Sequence, residues 1–147
     1  MKLSVTTLLA GIPLALLSVG CSMYSGSADL TPQDLQHHNW ELIQVDGQAI
    51  TQGDRQRMPR LEVGEKMTVN GNAGCNNFFG QGELKDNQFR VDKIGMTMKS
   101  CSSEAMQIEQ AVAETLSTWS TITLTKEHLI LRDDNHELTY RLRDWVN

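Results

Sequence analysis

The chain has 147 residues and a mass of 16.5 kDa, which corresponds to one domain with one hydrophobic core. Its formal net charge is −5, so it lacks the positive surface expected of a nucleic-acid-binding protein or of a protein held by charge to an anionic membrane. No nucleic-acid partner is expected, and any membrane attachment must come from another source.

The first 20 residues have the pattern of a secretory signal peptide. Lys2 supplies a minimal positive region, and it is followed by an apolar run from Leu3 to Val19. That run is shorter than the roughly 20 apolar residues that a membrane-spanning helix needs. We therefore interpret residues 1–20 as a leader that directs export.

Cys21 follows this leader in the position of the cysteine of a bacterial lipobox, which becomes the lipidated first residue. Ser18 stands where a lipobox usually has Leu, and this leaves ordinary signal-peptidase cleavage open. We expect lipidation at Cys21, because it accounts for the odd cysteine in a chain with three. Residues 21–36 then form a tether and a short helical turn at Thr31-Pro32. The predicted location is the cell envelope, with the lipid in the outer membrane and the domain facing the periplasm.

Short segments in which apolar and polar residues alternate predict a series of β-strands. The first, from Asn39 to Val45, changes phase between Leu42 and Ile43, which indicates either a β-bulge or burial of both faces. Asp46-Gly47 and Gly64-Glu65 are predicted two-residue hairpin turns. The remaining predicted strands are 61–63, 67–69, 78–84, 89–91, 94–98, 121–125, 129–132 and 138–143.

One segment has helical periodicity instead. Ser102 or Ser103 can cap it, and Glu104 in its first turn is favourable near the helix N-terminus. Its apolar stripe is formed by Ala105, Ile108, Val112, Leu116 and Trp119. Short strands and one late helix, without βαβ alternation, favour an α+β or small barrel architecture over a parallel sheet for residues 37–147.

Two motifs in the middle of the chain carry a family resemblance. The sequence VNGNAGCNNFFG begins at Val69, and GMTMKSC ends at Cys101. Together with the acidic helix that follows, they resemble the META domain, and within it the HslJ-type bacterial envelope proteins, over roughly Trp40 to Leu142. The structural motif residues are Gly71, Gly74, Asn76, Gly80 and Thr97.

The resemblance implies a compact barrel-like domain with one helix and no established catalytic reaction. With it, the expected fold is α+β: a small, mainly antiparallel, β-barrel-like domain with one principal α-helix packed against it. The resemblance also implies heat-stress and novobiocin tolerance in some members, and a likeness to lipocalin-like pilot proteins of secretion systems. Glycine and asparagine tolerate positive φ, so the first motif indicates residues that serve the backbone conformation first and side-chain chemistry second. A phosphate-binding nest is the alternative, but the lysine and the following helix of a P-loop are missing.

Cys75 and Cys101 have two interpretations. The first is a structural disulfide in an oxidising periplasm, and the second is a redox pair. A Cys-x-x-Cys sequence in a βαβ setting would support the redox interpretation, and the chain has neither. We expect the structural disulfide and retain the thiol redox protein as the alternative function.

Other chemistry has weaker support. His37, His38, His128 and His136 are interpreted as surface residues, and Arg55, Arg57 and Arg60 as a solvated connection rather than an anion-binding loop. Glu104 and Glu109 should diverge around the helix, and no Gly-x-Ser-x-Gly sequence marks a nucleophile. A larger apolar set is interpreted as core, with a lipid or peptide groove as the alternative: Phe78, Phe79, Met96, Met98, Met106 and Trp119.

The leading functional prediction is therefore a non-enzymatic envelope lipoprotein without a cofactor. It would act in stress tolerance or as a binding module for an envelope protein or an apolar ligand. A hydrolase with a site assembled across strands, and an inhibitor or pilot that binds one partner, are further alternatives.

Overall fold

The computed structural model describes residues 29–51 and 58–144. The predicted leader, the lipidation site Cys21, most of the tether, and Arg55 and Arg57 lie outside the described residues. The predictions for these segments are therefore untested by the fold.

Two α-helices and nine strands, with one 3-10 helix at Glu65–Met67, make up the regular elements of the described part of the chain. In chain order they are α1 Pro32–Leu35, β1 His38–Val45, β2 Gln48–Ala49, β3 Arg60–Val63, β4 Thr68–Asn72, β5 Asn77–Lys85, β6 Gln88–Met96, α2 Ser103–Ser117, β7 Ser120–Leu124, β8 His128–Arg132 and β9 Glu137–Leu142.

The strands form an antiparallel barrel. From β3 to β9 each strand pairs with the next along the chain, and β1 pairs with both β3 and β9, which closes the sheet as a ring of eight strands. The two-residue β2 adds to the far end of β1. This arrangement confirms the predicted fold class, an α+β domain with an antiparallel barrel and one principal helix.

The first half of β1 shows how residue alternation builds the barrel core. Trp40 and Leu42 are buried, while their neighbours along the strand are only partly so. The pairing with β9 shifts after Leu42, so Ile43 is an extra residue, and the predicted β-bulge is confirmed. The largest side chains buried with them are Tyr140, Phe78, Phe89, Leu35, Leu61, Leu116, Leu129, Leu131 and Leu138.

One predicted turn is confirmed and another is wrong. Asp46 and Gly47 have φ values of 52° and 77°, and they connect β1 to β2 as a two-residue turn. Gly64 and Glu65 do not form such a turn, because Val63 pairs with Val69 across a longer connection that contains a 3-10 turn. The predicted register would place Met67 opposite Glu62, whereas the observed one keeps apolar residues on one face.

The predicted strands 89–91 and 94–98 are one strand, β6, which ends at Met96. The break in the sequence pattern is a local irregularity: Lys93 has a φ of 52°, and the pairing with β5 shifts at this level. Such a bulge changes which face a side chain occupies without ending the strand.

Helix α2 begins where the sequence predicts, with Ser102 as N-cap accepting a hydrogen bond from the Ala105 amide at 3.3 Å. It contacts β6 and β9, and it precedes the weakest seam of the barrel, where β6 and β7 share only two residue pairs. The predicted stripe is wrong at its end. Trp119 is 36% exposed, because α2 ends at Ser117 and Trp119 lies in the two-residue connection before β7.

Candidate functional site at the disulfide corner

The loop 73–76 between β4 and β5 is the candidate site, because it contains the centre of the first motif. The Ala73 amide donates to the Asn76 carbonyl oxygen at 2.9 Å, and the Gly74 amide donates to Asn72 Oδ1, also at 2.9 Å. Gly74 has a φ of +132°, and a Cβ atom there would lie 2.8 Å from the Ala105 carbonyl oxygen. The loop therefore needs glycine at this position for both its conformation and its close packing on α2. We refer to residues 72–77 with their partners below as the corner.

A disulfide joins the corner to the start of α2. The Cys75 and Cys101 sulfurs are 2.05 Å apart and their Cα atoms 5.8 Å apart. Cys75 is buried and Cys101 is exposed. The predicted disulfide is thus present in the fold, and it links two segments that the barrel hydrogen bonds do not join.

Glu109 is a buried carboxylate that the sequence analysis missed. Its Oε2 atom accepts hydrogen bonds from the backbone amides of Cys75, at 3.2 Å, and Asn76, at 2.5 Å. Its Oε1 atom accepts a hydrogen bond from the Asn76 side-chain amide at 2.9 Å. A buried charge is tolerated only when it is paired or hydrogen-bonded, and here three donors satisfy it. The corner thus binds an internal anion supplied by α2.

Asn76 connects this carboxylate to the segment after β6. Its Oδ1 accepts from the Lys99 amide at 2.6 Å and from Thr97 Oγ1 at 2.9 Å, and its Nδ2 donates to the Lys99 carbonyl at 3.0 Å. Thr97 Oγ1 in turn accepts from the Asn77 amide at 3.1 Å. The Thr97 amide still donates to the Asn77 carbonyl oxygen at 3.0 Å, and beyond it the Asn76 side chain holds the segment at Lys99. The strand β6 therefore ends at Met96, two residues before the predicted end.

The two remaining motif glycines lie in strands and allow close packing. A Cβ atom on Gly71 would lie 2.0 Å from the Arg60 carbonyl oxygen and 2.6 Å from the Phe78 ring. A Cβ atom on Gly80 would lie 2.4 Å from a methyl group of Val91. Of the five motif residues, Gly74, Asn76 and Thr97 meet at the corner, while Gly71 and Gly80 support the strands on either side.

The histidines do not gather into a site. His38 Nδ1 lies 2.7 Å from Asp144, and His37 lies 3.6 Å from Glu65. His136 lies between Asp46, at 2.9 Å, and Glu114, at 3.3 Å, and its hydrogen bond to Asp46 raises the pKa of the imidazole. Within residues 29–51 and 58–144, no group of three or more His, Cys, Asp or Glu side chains is placed to hold a metal ion.

The interpretation of the six apolar residues as core is right for Phe78 and wrong for four of the others. Phe78 is buried, but Phe79 is 61% and Met98 95% exposed. The Phe79 ring packs over Gly95 on the outer face of the sheet. Met106 and Trp119 are also among the exposed large apolar residues, and Met96 is partly buried against the core.

The sequence model of the META domain matches residues 33–145. The chain belongs to the META-domain family. That match extends beyond Trp40 to Leu142, the span over which the two motifs suggest the likeness.

Several relatives are similar to this META-domain protein. The heat shock protein HslJ of Escherichia coli K12 is 31% identical over 139 residues, which cover 94% of this chain and 96% of the relative. A protein structure solved by NMR is 32% identical, has a TM-score of 0.71, and matches 80% of this chain and 99% of its own. An NMR structure from Burkholderia xenovorans shares the fold at a TM-score of 0.65, with 19% identity over 96% of this chain and 100% of its own.

Glu109 was missed because helical periodicity counts only apolar residues. Glu109 lies four residues after Ala105 and three before Val112, so it lies on the apolar stripe of α2. A carboxylate at such a position is the available sequence signal, since a buried charge requires a partner.

Among the described residues, no helix is both long enough and apolar enough to span a membrane.

Proposed function

We propose that this META-domain protein is a non-catalytic, lipid-anchored protein of the bacterial envelope that acts as a binding module in stress tolerance. The observation that carries the proposal is the corner, where the polar groups of the family motif bond one another. Glu109 accepts three hydrogen bonds from the corner. The side-chain oxygen and nitrogen of Asn76 are both hydrogen-bonded to other groups of the same chain. A carboxylate held in this way is poorly placed to exchange protons with a substrate.

Export and anchoring are supported by the signal-peptide pattern of residues 1–20 and by Cys21 after it. The Cys75–Cys101 disulfide is of the kind that persists in the periplasm and is rare in reducing compartments. Pairing of these two cysteines leaves Cys21 as the remaining thiol, which lipidation would use. The role in stress tolerance is supported by the name of the heat shock relative.

Substitution of Cys21 tests the anchor. In cells fed a labelled fatty acid, the wild-type protein should carry the label and sediment with membranes, and Cys21→Ser should do neither. Ser18→Leu is the matched control, since it gives the lipobox its usual residue and should keep both properties. Membrane retention of unlabelled Cys21→Ser would contradict lipid anchoring.

The stress role has its own test. A strain lacking the gene should lose viability at high temperature and recover it with the wild-type protein. Cys21→Ser should restore viability less well, because the soluble domain would be displaced from the membrane. Equal survival with and without the gene would contradict the role.

The alternative, a thiol redox protein, is favoured by one observation, the exposure of Cys101. A structural disulfide resists reduction by the glutathione pool, whereas a catalytic one exchanges with it. The purified protein should therefore stay oxidised in glutathione buffers at a cytosolic potential. Rapid reduction there, with the fold retained, would favour the redox function over a binding module.

A further inference from the structure

An open groove of about 840 Å³ lies at the end of α2 opposite the corner. It is bordered by the last turns of α2, by the seam between β6 and β7, and by the turn 133–136 between β8 and β9. Its volume falls within the range of small-molecule sites, about 300–1,000 Å³. The groove is distinct from the corner, with which it shares only the helix.

Two of the three carboxylates that line the groove are already used by the fold. Asp133 Oδ1 accepts from the amides of Asn135 and His136, both at 2.7 Å. Glu114 accepts from Gln110 at 2.9 Å and lies 3.3 Å from His136. These bonds orient both carboxylates within the groove wall.

Four other side chains in the groove are not engaged by the described part of the chain. They are the amides of Gln88 and Asn135, the hydroxyl of Thr121, and the carboxylate of Asp134. Between them they offer both donors and acceptors, and three of the four are neutral. A ligand that satisfies them needs several hydroxyl or amide groups rather than a strong charge.

Trp119 supplies an aromatic wall to this polar groove. Trp119 is 36% exposed as a residue, and the Arg90 guanidinium lies 4.6 Å from its ring centroid. Arg90 is itself bonded to Glu83 at 2.5 Å, and it does not line the groove. The guanidinium thus lies over one face of the ring, and Trp119 also lines the groove.

We infer that this groove binds a saccharide. A sugar ring presents polarised C–H groups on its faces, which the negative face of an indole attracts, and hydroxyl groups around its edge. The groove combines an aromatic wall with neutral amide and hydroxyl groups, which matches both features. A basic peptide fits less well, because the Arg132 guanidinium also lines the groove, and Asp134 is the one lining carboxylate without a partner within residues 29–51 and 58–144. This inference rests on the proposed function, since it names the ligand class of the binding module.

The test is a titration of the full-length chain with two neutral tetrasaccharides, cellotetraose and chitotetraose, followed by NMR. At least one of them should shift the Trp119 indole signal and the amide signals of residues 133–135, with a Kd of about 1 mM or tighter. Trp119→Ala should weaken binding about tenfold, which corresponds to the upper range of an aromatic contact. Asn135→Ala should also weaken it, and this substitution leaves the apolar core untouched.

Phe79→Ala is the matched control, because Phe79 is an exposed aromatic residue outside the groove. It should bind with wild-type affinity. Unmoved groove signals with both tetrasaccharides would overturn the inference, and so would unchanged affinity in folded Trp119→Ala and Asn135→Ala. A lysine-rich peptide that binds the groove in their place would also overturn it. These outcomes are independent of the anchor, which the Cys21→Ser experiment tests in cells.

Discussion

The two ends of α2 differ in how their polar groups are used. At the corner, Glu109, Asn76 and Thr97 bond one another, and the disulfide adds a covalent link. At the groove, Gln88, Asn135 and other polar side chains remain without partners in the described structure. A family motif and a binding site therefore need not coincide, since satisfied polar groups stabilise a fold whereas unsatisfied ones are available to a ligand.

The largest effect should follow from removal of the buried carboxylate. Glu109→Ala leaves the buried amides of Cys75 and Asn76 without an acceptor and removes one of the two acceptors of Asn76 Nδ2, so the free energy of unfolding should fall by about 4 kcal/mol. Urea denaturation followed by circular dichroism measures this. Glu104→Ala is the control, because Glu104 is exposed in the first turn of the same helix, and it should cost about 0.5 kcal/mol. Equal effects of the two variants would contradict the account of the corner.

Loss of the disulfide should have a similar but smaller effect. Its two cysteines are 26 residues apart, and closure of such a loop contributes about 3.5 kcal/mol in the chain-entropy model. The double variant Cys75→Ser, Cys101→Ser should unfold at correspondingly lower urea, yet stay folded without denaturant, because the Glu109 hydrogen bonds remain. Free thiols at both positions in the oxidised wild-type protein, counted after denaturation, would refute the link.

The smallest effect concerns pH. The hydrogen bond to Asp46 raises the pKa of His136 above its ordinary value of 6.5, and the charges of Asp46, Asp133 and Glu114 act in the same direction. The stabilisation is fully present below pH 6.5 and is lost as pH rises through the folded-state pKa. Since His136 is partly solvated, we expect a loss of about 1 kcal/mol.

His136→Gln should flatten this part of the stability curve. His37→Gln should leave it unchanged, because the contact of His37 with Glu65 is long and exposed. Unfolding free energies measured from pH 5 to 9 for both variants test the assignment. The same slope in His136→Gln and the wild type would show that another group titrates.

The sequence predicted those features of the fold that depend on local pattern. The Ser102 cap, the 15-residue helix and the Asp46-Gly47 turn follow from capping and turn chemistry within a few residues. Registers and burial depend on distant partners. The β3–β4 connection is set by pairing Val63 with Val69, and the segment that follows β6 is held by Asn76 from another loop.

The candidate site was predictable in part. The motif glycines and asparagines and the two cysteines were identified from the sequence, but the carboxylate they bind was not. Glu109 lies 33 residues after Asn76, and only the docking of α2 brings them together. The groove was missed for the same reason, because Gln88, Trp119 and Asn135 come from three separate parts of the chain.

In this protein the motif stabilises the fold, and the groove binds the ligand. One paired measurement separates these two roles: the unfolding free energy and the tetrasaccharide affinity of Glu109→Ala and Trp119→Ala. We predict that the Glu109→Ala protein is less stable than the Trp119→Ala protein by about 3 kcal/mol but, while folded, binds the tetrasaccharide like the wild type. We predict that the Trp119→Ala protein loses binding, while its free energy of unfolding falls by about 1 kcal/mol. A folded Glu109→Ala protein with wild-type stability and no binding would contradict the account.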